Sequence, residues 1–379
     1  MELVFGVVIG LIVLVLLVVA HELGHAVVAH RNGVVVKEFG IGLPPSVCSK
    51  KMKNGVLLSL NWLPIGGFVR LQGEYDADSK QGDYGSATFI RKTKILLAGV
   101  LVNWFIAAVI FTILSLFGLP KILPNQVTVP GDTTIIYQPV EIANIKADYP
   151  AQKSGLEVGD KIVEFADQEV LTTERLIELI EDNKGQTIDV VYVRDGVNYD
   201  TNVSLGNGLD GSYFGAGLGQ SEAIKATWSA PLLGIATTGQ FTWETLRGIG
   251  ALLGDLSNGL MSQFSSDADT RQQASSDLSA VSDSVAGPIG ILGTIFPAAQ
   301  RAGLIQLLFL TAIISLSLAV MNILPIPALD GGRWLTMSIF RLSKKKLTKE
   351  REEKVQAVGF IILMSLIILV TFVDVSKLF

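Results

Sequence analysis

The chain has 379 residues, of which 49% are hydrophobic and only 17% are charged, and its mean hydropathy is +0.47. Soluble domains carry about a quarter charged residues, so this composition favours a membrane protein. The net charge of -5 comes without a basic stripe interleaved with aromatic residues, which argues against nucleic acid as a partner. The single cysteine, Cys48, excludes an internal disulfide framework and a thiolate zinc cluster.

Four apolar stretches are long enough to cross about 30 Å of hydrocarbon as helices. They cover residues 1–30, 95–119, 304–332 and 355–373, and they predict four transmembrane helices. The first begins Met-Glu and lacks a basic flank and a clear cleavage site, so we expect it to be retained. Lysine and arginine cluster after the first span, before the second, and between the third and fourth. By the positive-inside rule those loops are cytoplasmic and residues 120–303 lie outside.

All three histidines of the chain lie between residues 21 and 30 of the first span, and two of them occur in the sequence His21-Glu22-Leu23-Gly24-His25. Helical side chains at i and i+4 share a face, so both imidazoles can reach one metal ion, with Glu22 close enough to deprotonate a bound water. Ionisable groups are costly in or beside a bilayer and tend to be functional there. The alternative is a chance HExxH in a metal-free helix. His30 lies off this face, and we expect an interfacial histidine there.

Residues 31–94 are predicted to form a cytoplasmic loop with a membrane-associated β-hairpin at about 56–71. Its apolar arms, 56–62 and 68–71, flank a turn at 63–67. We expect this hairpin to pair with an unwound substrate by strand addition. The residues that would contact substrate are Gly67, Phe68, Val69, Arg70 and Leu71. A hairpin that only plugs a cavity is the alternative.

Residues 139–205 read as a small mixed α and β domain. The run from Ser154 to Ile162, Ser-Gly-Leu-Glu-Val-Gly-Asp-Lys-Ile, resembles PDZ domains of bacterial envelope proteases. PDZ domains bind extended peptides at a sheet edge, so this domain is a candidate substrate filter, acting by peptide binding or by size. A spacer or a cover over the membrane part is the alternative.

The segment after the PDZ-like domain has two parts. Residues 228–264 place Glu244, Arg247 and Asp255 at spacings that fit one polar helical face, which predicts an interfacial amphipathic helix. Residues 265–284 are rich in Ser, Asp, Gln and Ala, which predicts a mobile linker.

The third span ends in a motif from Asn322 to Gly332 that contains two prolines and two glycines. These residues should break the helix near its cytoplasmic end, which is tolerated only inside protein or beside a wet cavity. A catalytic zinc ion keeps three protein ligands and one open position, so the histidine pair needs a further ligand, and Asp330 can supply it. An ordinary turn at Asp330 is the alternative. Asn322 could bind substrate or stabilise an oxyanion, or only join two helices.

Together the HELGH helix, the Asn322 to Gly332 motif and the PDZ-like insert resemble the site-2 protease family of intramembrane zinc metalloproteases, in its bacterial regulated-intramembrane-proteolysis branch. Segments 66–74 and 286–290 are similar to further family motifs, so the resemblance covers nearly the whole chain. It implies Zn²⁺ held by His21, His25 and Asp330, with Glu22 catalytic and Asn322 contacting substrate. The family often has proline where this chain has Val100, with Asn103 kept. We expect this departure to alter a local helix start and to leave the metal site untouched.

The expected fold is therefore a polytopic α-helical membrane protein with four transmembrane helices, a membrane-associated β-hairpin and an inserted α+β PDZ-like domain. The resemblance implies an enzyme of the bacterial cytoplasmic membrane, and by the positive-inside rule we expect its active site toward the cytoplasm and the PDZ-like domain outside. Its substrates would be single-pass membrane proteins such as anti-sigma factors or signal-peptide remnants, trimmed first by an upstream site-1 protease.

Two other functions compete with this one. A non-catalytic membrane PDZ scaffold with a vestigial metal site is the main alternative, but a structural zinc site has no use for Glu22 as a base. An exported soluble peptidase would lose its HELGH motif with the cleaved first span.

Overall fold

The computed structural model describes residues 2–194, 196–206, 213–262 and 287–376. The chain divides into two compact units. The first consists of Met1–Ile113 with Gly234–Phe379, and the second of Leu114–Leu233. The predicted linker at 265–284 lies outside the described residues.

The elements are numbered here in chain order. The helices are α1 (Glu2–Arg31), α2 (Phe89–Phe117), α3 (Pro150–Lys153), α4 (Thr173–Asp182), α5 (Ala230–Ser262), α6 (Pro288–Gly290, π-helical Ile291–Ile295 and Phe296–Ala302), α7 (Leu304–Ile323), α8 (Asp330–Leu342) and α9 (Lys349–Ser376). The strands are β1 (Val36–Lys51), β2 (Leu57–Leu71), β3 (Leu119–Lys121), β4 (Thr134–Tyr137), β5 (Val140–Ile145), β6 (Lys161–Phe165), β7 (Gln168–Glu169), β8 (Thr187–Arg194), β9 (Val197–Ser204), β10 (Ala216–Gly219) and β11 (Glu222–Lys225).

Four helices in the described part of the chain are long and apolar enough to cross a membrane, which confirms that prediction. They are α1, α2, α7 and α9. Helices α2 and α9 begin at Phe89 and Lys349, earlier than the predicted spans at 95 and 355. Their first turns contain charged residues, so hydropathy alone did not include them in the spans. Helix α5 is not among the four, and its predicted position at the interface stays a prediction.

The third span is interrupted where the prolines predicted it. Helix α7 ends at Ile323, earlier than residue 332, and α8 starts at Asp330 after a non-helical segment that contains both prolines. A β-carbon on Gly331 would lie 2.0 Å from the Ile323 carbonyl oxygen, and one on Gly332 would lie 1.9 Å from that of Ile326. Only glycine therefore lets the start of α8 fold back against the break.

The hairpin differs from the one predicted. The arms 57–60 and 67–71 belong to one long strand, β2, and they lie on either side of residues 38–41 of β1. Gly40, for example, is opposite both Ser59 and Phe68. The two arms therefore do not pair with each other. Strand β1 was missed because Pro44 and Pro45 within it are typical of a loop.

The second unit contains a sheet with strand order β10-β5-β6-β8-β9, with β7 paired to β6. Its core runs from Val140 to Leu205 and also includes Phe214, so the sheet extends past residue 205 through β10. A separate three-stranded sheet has the order β3-β11-β4. The oxygen Oγ1 of Thr172 caps α4 by accepting a hydrogen bond from the Arg175 N–H.

Candidate active site

Three side-chain atoms form a nearly equilateral triangle in the first unit. The two Nε2 atoms of His21 and His25 are 3.1 Å apart, and each is 3.2 Å from Oδ2 of Asp330. A tetrahedral zinc ion with bonds of about 2.0 Å needs its ligand atoms about 3.3 Å apart. Two imidazoles and a carboxylate at this spacing fit a zinc ion with three protein ligands and one open position.

Helix α1 supplies both imidazoles from one face, and α2 orients one of them. Nδ1 of His25 donates a hydrogen bond to the Ile95 carbonyl oxygen at 2.7 Å. Because this bond holds the proton on Nδ1, the lone pair of Nε2 faces the triangle. A histidine bound in this way is typical of metal sites.

Asn103 on α2 is positioned to orient the His21 ring, as the Ile95 carbonyl orients His25. The sequence analysis did not assign it this role. It is fully buried, its amide nitrogen lies 3.5 Å from Nδ1 of His21, and its Oδ1 has no partner within the described ranges. A His21 ring that binds metal through Nε2 carries a proton on Nδ1 and needs an acceptor. A half-turn of the amide presents Oδ1 as that acceptor. An asparagine in an apolar span was the available signal.

Asp330 reaches the triangle from the first residue of α8. Its Oδ2 lies 3.2 Å from Nε2 of both histidines, which makes Asp330 a candidate third ligand. The chain just before the helix is constrained too, since Ala328, two residues ahead of Asp330, has φ +77 and its N–H donates to Oε1 of Gln356 at 2.7 Å.

Glu22 lines the same cavity of about 210 Å³ as the three candidate ligands. The backbone N–H of Val69 on β2 faces its carboxylate. A β-carbon on Gly67 would lie 3.5 Å from Cγ of Glu22, so this part of β2 runs beside the HELGH motif of α1.

Close packing of α1 and α2 leaves no room for a side chain at two glycines. A β-carbon on Gly24 would lie 2.8 Å from the Ala98 carbonyl oxygen, and one on Gly99 would lie 2.5 Å from Nε2 of His25. The expectation that Val100 alters a helix start is wrong, because α2 begins at Phe89. The segment also borders the candidate ligands His21 and His25 directly, through Gly99.

The other predicted site residues divide into two groups. Asn322, Val69 and Leu71 line the cavity that contains the three candidate ligands, whereas His30, Phe68 and Arg70 are not among its lining residues. Strand alternation explains the split along β2. Arg70 pairs with Glu38, and the amide of Asn322 donates to the Leu318 carbonyl within its own helix at 2.9 Å.

Tyr84 also lines this cavity, and the sequence analysis did not predict it. Its hydroxyl is buried and has no hydrogen-bond partner among the described residues. Arg333, three residues after Asp330, lies over its ring with the guanidinium carbon 4.7 Å from the ring centre. Burial raises the pKa of Tyr84 above its usual range, so the hydroxyl remains a donor. No local sequence pattern marked this loop tyrosine.

Comparison with known proteins identifies the family. Residues 9–366 match the profile described as Peptidase family M50. The chain belongs to peptidase family M50. A Clostridium acetobutylicum protein that carries a zinc-metalloprotease name is 30% identical over 371 residues, covering 98% of this chain and 97% of that protein. Zinc metalloprotease RasP of Oceanobacillus iheyensis is 25% identical and covers 96% of this chain and 97% of its own.

A solved PDZ domain of an SdrC-like protein from Listeria monocytogenes covers 24% of this chain and 93% of its own, at 24% identity and a TM-score of 0.20. At that score the match does not establish the fold of the insert.

Membership of peptidase family M50 confirms several expectations. The protein is an intramembrane zinc metalloprotease with several membrane-spanning helices, and family members act on membrane-bound substrates. The scaffold alternative is not favoured.

Proposed function

We propose that His21, His25 and Asp330 hold the zinc ion and that Glu22 is the general base in peptide-bond hydrolysis in or near transmembrane segments. The observation that carries this proposal is the triangle of donor atoms at 3.1–3.2 Å in one cavity with Glu22. A bound zinc ion supplies Lewis acidity, which brings the pKa of a coordinated water to about 7.

The side chains around the triangle then have distinct tasks. Glu22 accepts a proton from the attacking water and passes it to the leaving amine nitrogen. The Val69 N–H orients the carboxylate meanwhile. The Tyr84 hydroxyl, which has no hydrogen-bond partner among the residues that the structure describes, donates to the substrate carbonyl oxygen as negative charge develops there. Asn322, from the cavity wall, contacts the substrate backbone.

The outer edge of β2 receives the substrate in this proposal. Backbone N–H groups alternate between the two edges of a strand, so those of residues 67, 69 and 71 point away from β1. The Leu71 N–H has an acceptor that a substrate strand could displace, Oε1 of Glu74 at 2.9 Å, and the Val69 N–H faces the Glu22 carboxylate. An extended substrate added here runs directly beside the zinc triangle.

Substrates and sidedness follow from the membrane character and the loop charges. The proposed substrates are single-pass membrane proteins, including anti-sigma factors and signal-peptide remnants, with trimming by an upstream site-1 protease. The basic loops next to the HELGH and Asp330 motifs support an active site toward the cytoplasm of a bacterial cell, with the PDZ-like domain outside.

The PDZ-like domain is proposed as the substrate filter. A cavity of about 230 Å³ lies between α4 and β10 and is lined by Ile177, Ile180 and Leu218 among others. Strand β10 ends the sheet order, so its free edge can accept an extended peptide, and Ile177 is 46% exposed in the groove. These features support peptide capture by strand addition.

The test is Glu22→Gln in the full chain, with zinc content and cleavage of a tagged single-span substrate measured in detergent. We expect zinc to be retained and cleavage to fall by about 10²–10⁴-fold, because proton transfer alone is lost. The control Glu178→Gln, at an exposed position on α4, should behave as wild type. Asp330→Ala should lose zinc and cleavage together. Wild-type cleavage by the Glu22 variant would refute the assignment.

A further inference from the structure

A second cavity in the first unit, of about 680 Å³, is lined mainly by positively charged side chains among its ionisable residues. It lies where α2 begins and where the loop joins α8 to α9. Five cations and one carboxylate line it, namely Lys92, Arg341, Lys345, Lys346, Lys349 and Asp76. We call it the basic cavity. It shares no lining residue with the zinc cavity.

The charges of the basic cavity do not balance. Asp76 forms an ion pair with Lys92, and Nζ of Lys349 lies 3.9 Å from Oε1 of Glu353. Arg341 lies over the ring of Phe89, its guanidinium carbon 4.6 Å from the ring centre. Within the described residues Arg341, Lys345 and Lys346 form no ion pair. A concave site with uncompensated cations attracts an anion.

Two helix starts add to this charge. Thr88 and Thr348, the residues before α2 and α9, both line the basic cavity. The first N–H groups of a helix have no acceptor within it, and the helix dipole makes that end partly positive. Both helices are candidate membrane spans, so the basic cavity lies near a membrane boundary.

The lining also has an apolar wall made of Met337, Phe340 and Leu347. Several lysines with an arginine fork suit the oxygens of a phosphate group, and the wall suits the carbon skeleton attached to it. We propose that the basic cavity binds a phosphate group, supplied by an anionic phospholipid or by a soluble phosphate. Arg341 belongs to the same helix as Asp330, so an occupant would also hold that helix in place.

The experiment uses the purified full chain in detergent, and its readout is the midpoint of thermal unfolding rather than cleavage. Phosphatidylglycerol, phosphatidylcholine and inorganic phosphate are titrated separately. The variant is Lys345→Glu with Lys346→Glu. Its control, Lys50→Glu with Lys51→Glu, makes the same charge change at exposed positions of β1, which do not line the basic cavity.

We expect phosphatidylglycerol to raise the midpoint saturably and phosphatidylcholine not to do so. In the Lys345 and Lys346 variant the half-saturating concentration should rise by about tenfold or more, with no such rise in the control. If inorganic phosphate gives the same saturable rise, also weakened in the variant, the occupant is a soluble phosphate. Equal weakening in variant and control, or no rise with either anion in wild type, would overturn the proposal.

Discussion

Gly99 lies directly against His25, where a β-carbon would come within 2.5 Å of Nε2. The same β-carbon would be 2.6 Å from Nε2 of His21. The His25 ring cannot move freely, because its Nδ1 donates a hydrogen bond to the Ile95 carbonyl oxygen. The small residue on α2 therefore preserves the position of the proposed ligand atoms.

Gly99→Ala should lower zinc affinity by about 10–100-fold, the usual cost of disturbing the groups that orient metal ligands. Affinity is measured by competition with a zinc chelator on the full chain. Gly248→Ala on α5, where a β-carbon meets nothing within 4 Å, is the matched control. Unchanged zinc affinity in Gly99→Ala would contradict the proposed ligand geometry.

Tyr84→Phe should reduce kcat by about 10²–10³-fold, as expected when a hydrogen-bond donor to the developing oxyanion is lost. Zinc content and thermal stability should not fall, since the buried hydroxyl has no partner in the described structure to lose. The measurements are steady-state cleavage, zinc content and thermal unfolding.

Tyr137→Phe, at an exposed position on β4, serves as the control for Tyr84→Phe. If kcat of the Tyr84 variant stayed at the wild-type value, the tyrosine would have only a packing role.

Val69→Pro should reduce cleavage by at least about tenfold, because proline removes the outward N–H that faces Glu22 and the proposed substrate strand. Zinc content reports whether the metal site is intact. Val47→Pro is the control, since Val47 is exposed on β1 and has no Cα partner in the register with β2. Equal cleavage by both variants, with zinc retained, would rule out substrate pairing at this edge.

Removal of the PDZ-like domain should let the enzyme cut substrates that still carry a folded external domain. The structure sets the boundaries of the deletion at 139–219, because Nε2 of Gln220 donates to the Gln138 carbonyl oxygen at 2.9 Å. A short glycine linker then joins the paired strands β4 and β11 as a hairpin. The measurement is the ratio of cleavage of untrimmed to trimmed substrate.

Ile177→Arg distinguishes the two possible filters. This exposed residue lines the groove between α4 and β10, so its change blocks peptide capture without removing the domain. A filter by size should leave the cleavage ratio of this variant at the wild-type value, whereas a filter by peptide binding should change it. An unchanged ratio in both the deletion and the Ile177 variant would count against any filter.

Some features could be predicted because each depends on residues close together in the chain. Apolar windows predicted four spans, and the prolines at 325 and 327 predicted the break before Asp330. The spacing of His21 and His25 placed both on one helical face. The length of a helix explains the spans, its period explains the shared face, and the missing proline N–H explains the break. All three are local properties of the backbone.

Other features required the tertiary structure. Strand β1 pairs with both arms of β2, and the Asn103 amide lies beside His21, so each contact joins segments far apart in sequence. The same holds for Tyr84, whose hydroxyl has no partner among the described residues and which lines a cavity with His21 and Asp330. The basic cavity likewise joins the start of α2 to the loop before α9. Such contacts depend on how helices pack, and packing is decided by the fit of many side chains at once. The local pattern of residues along the sequence does not contain this information.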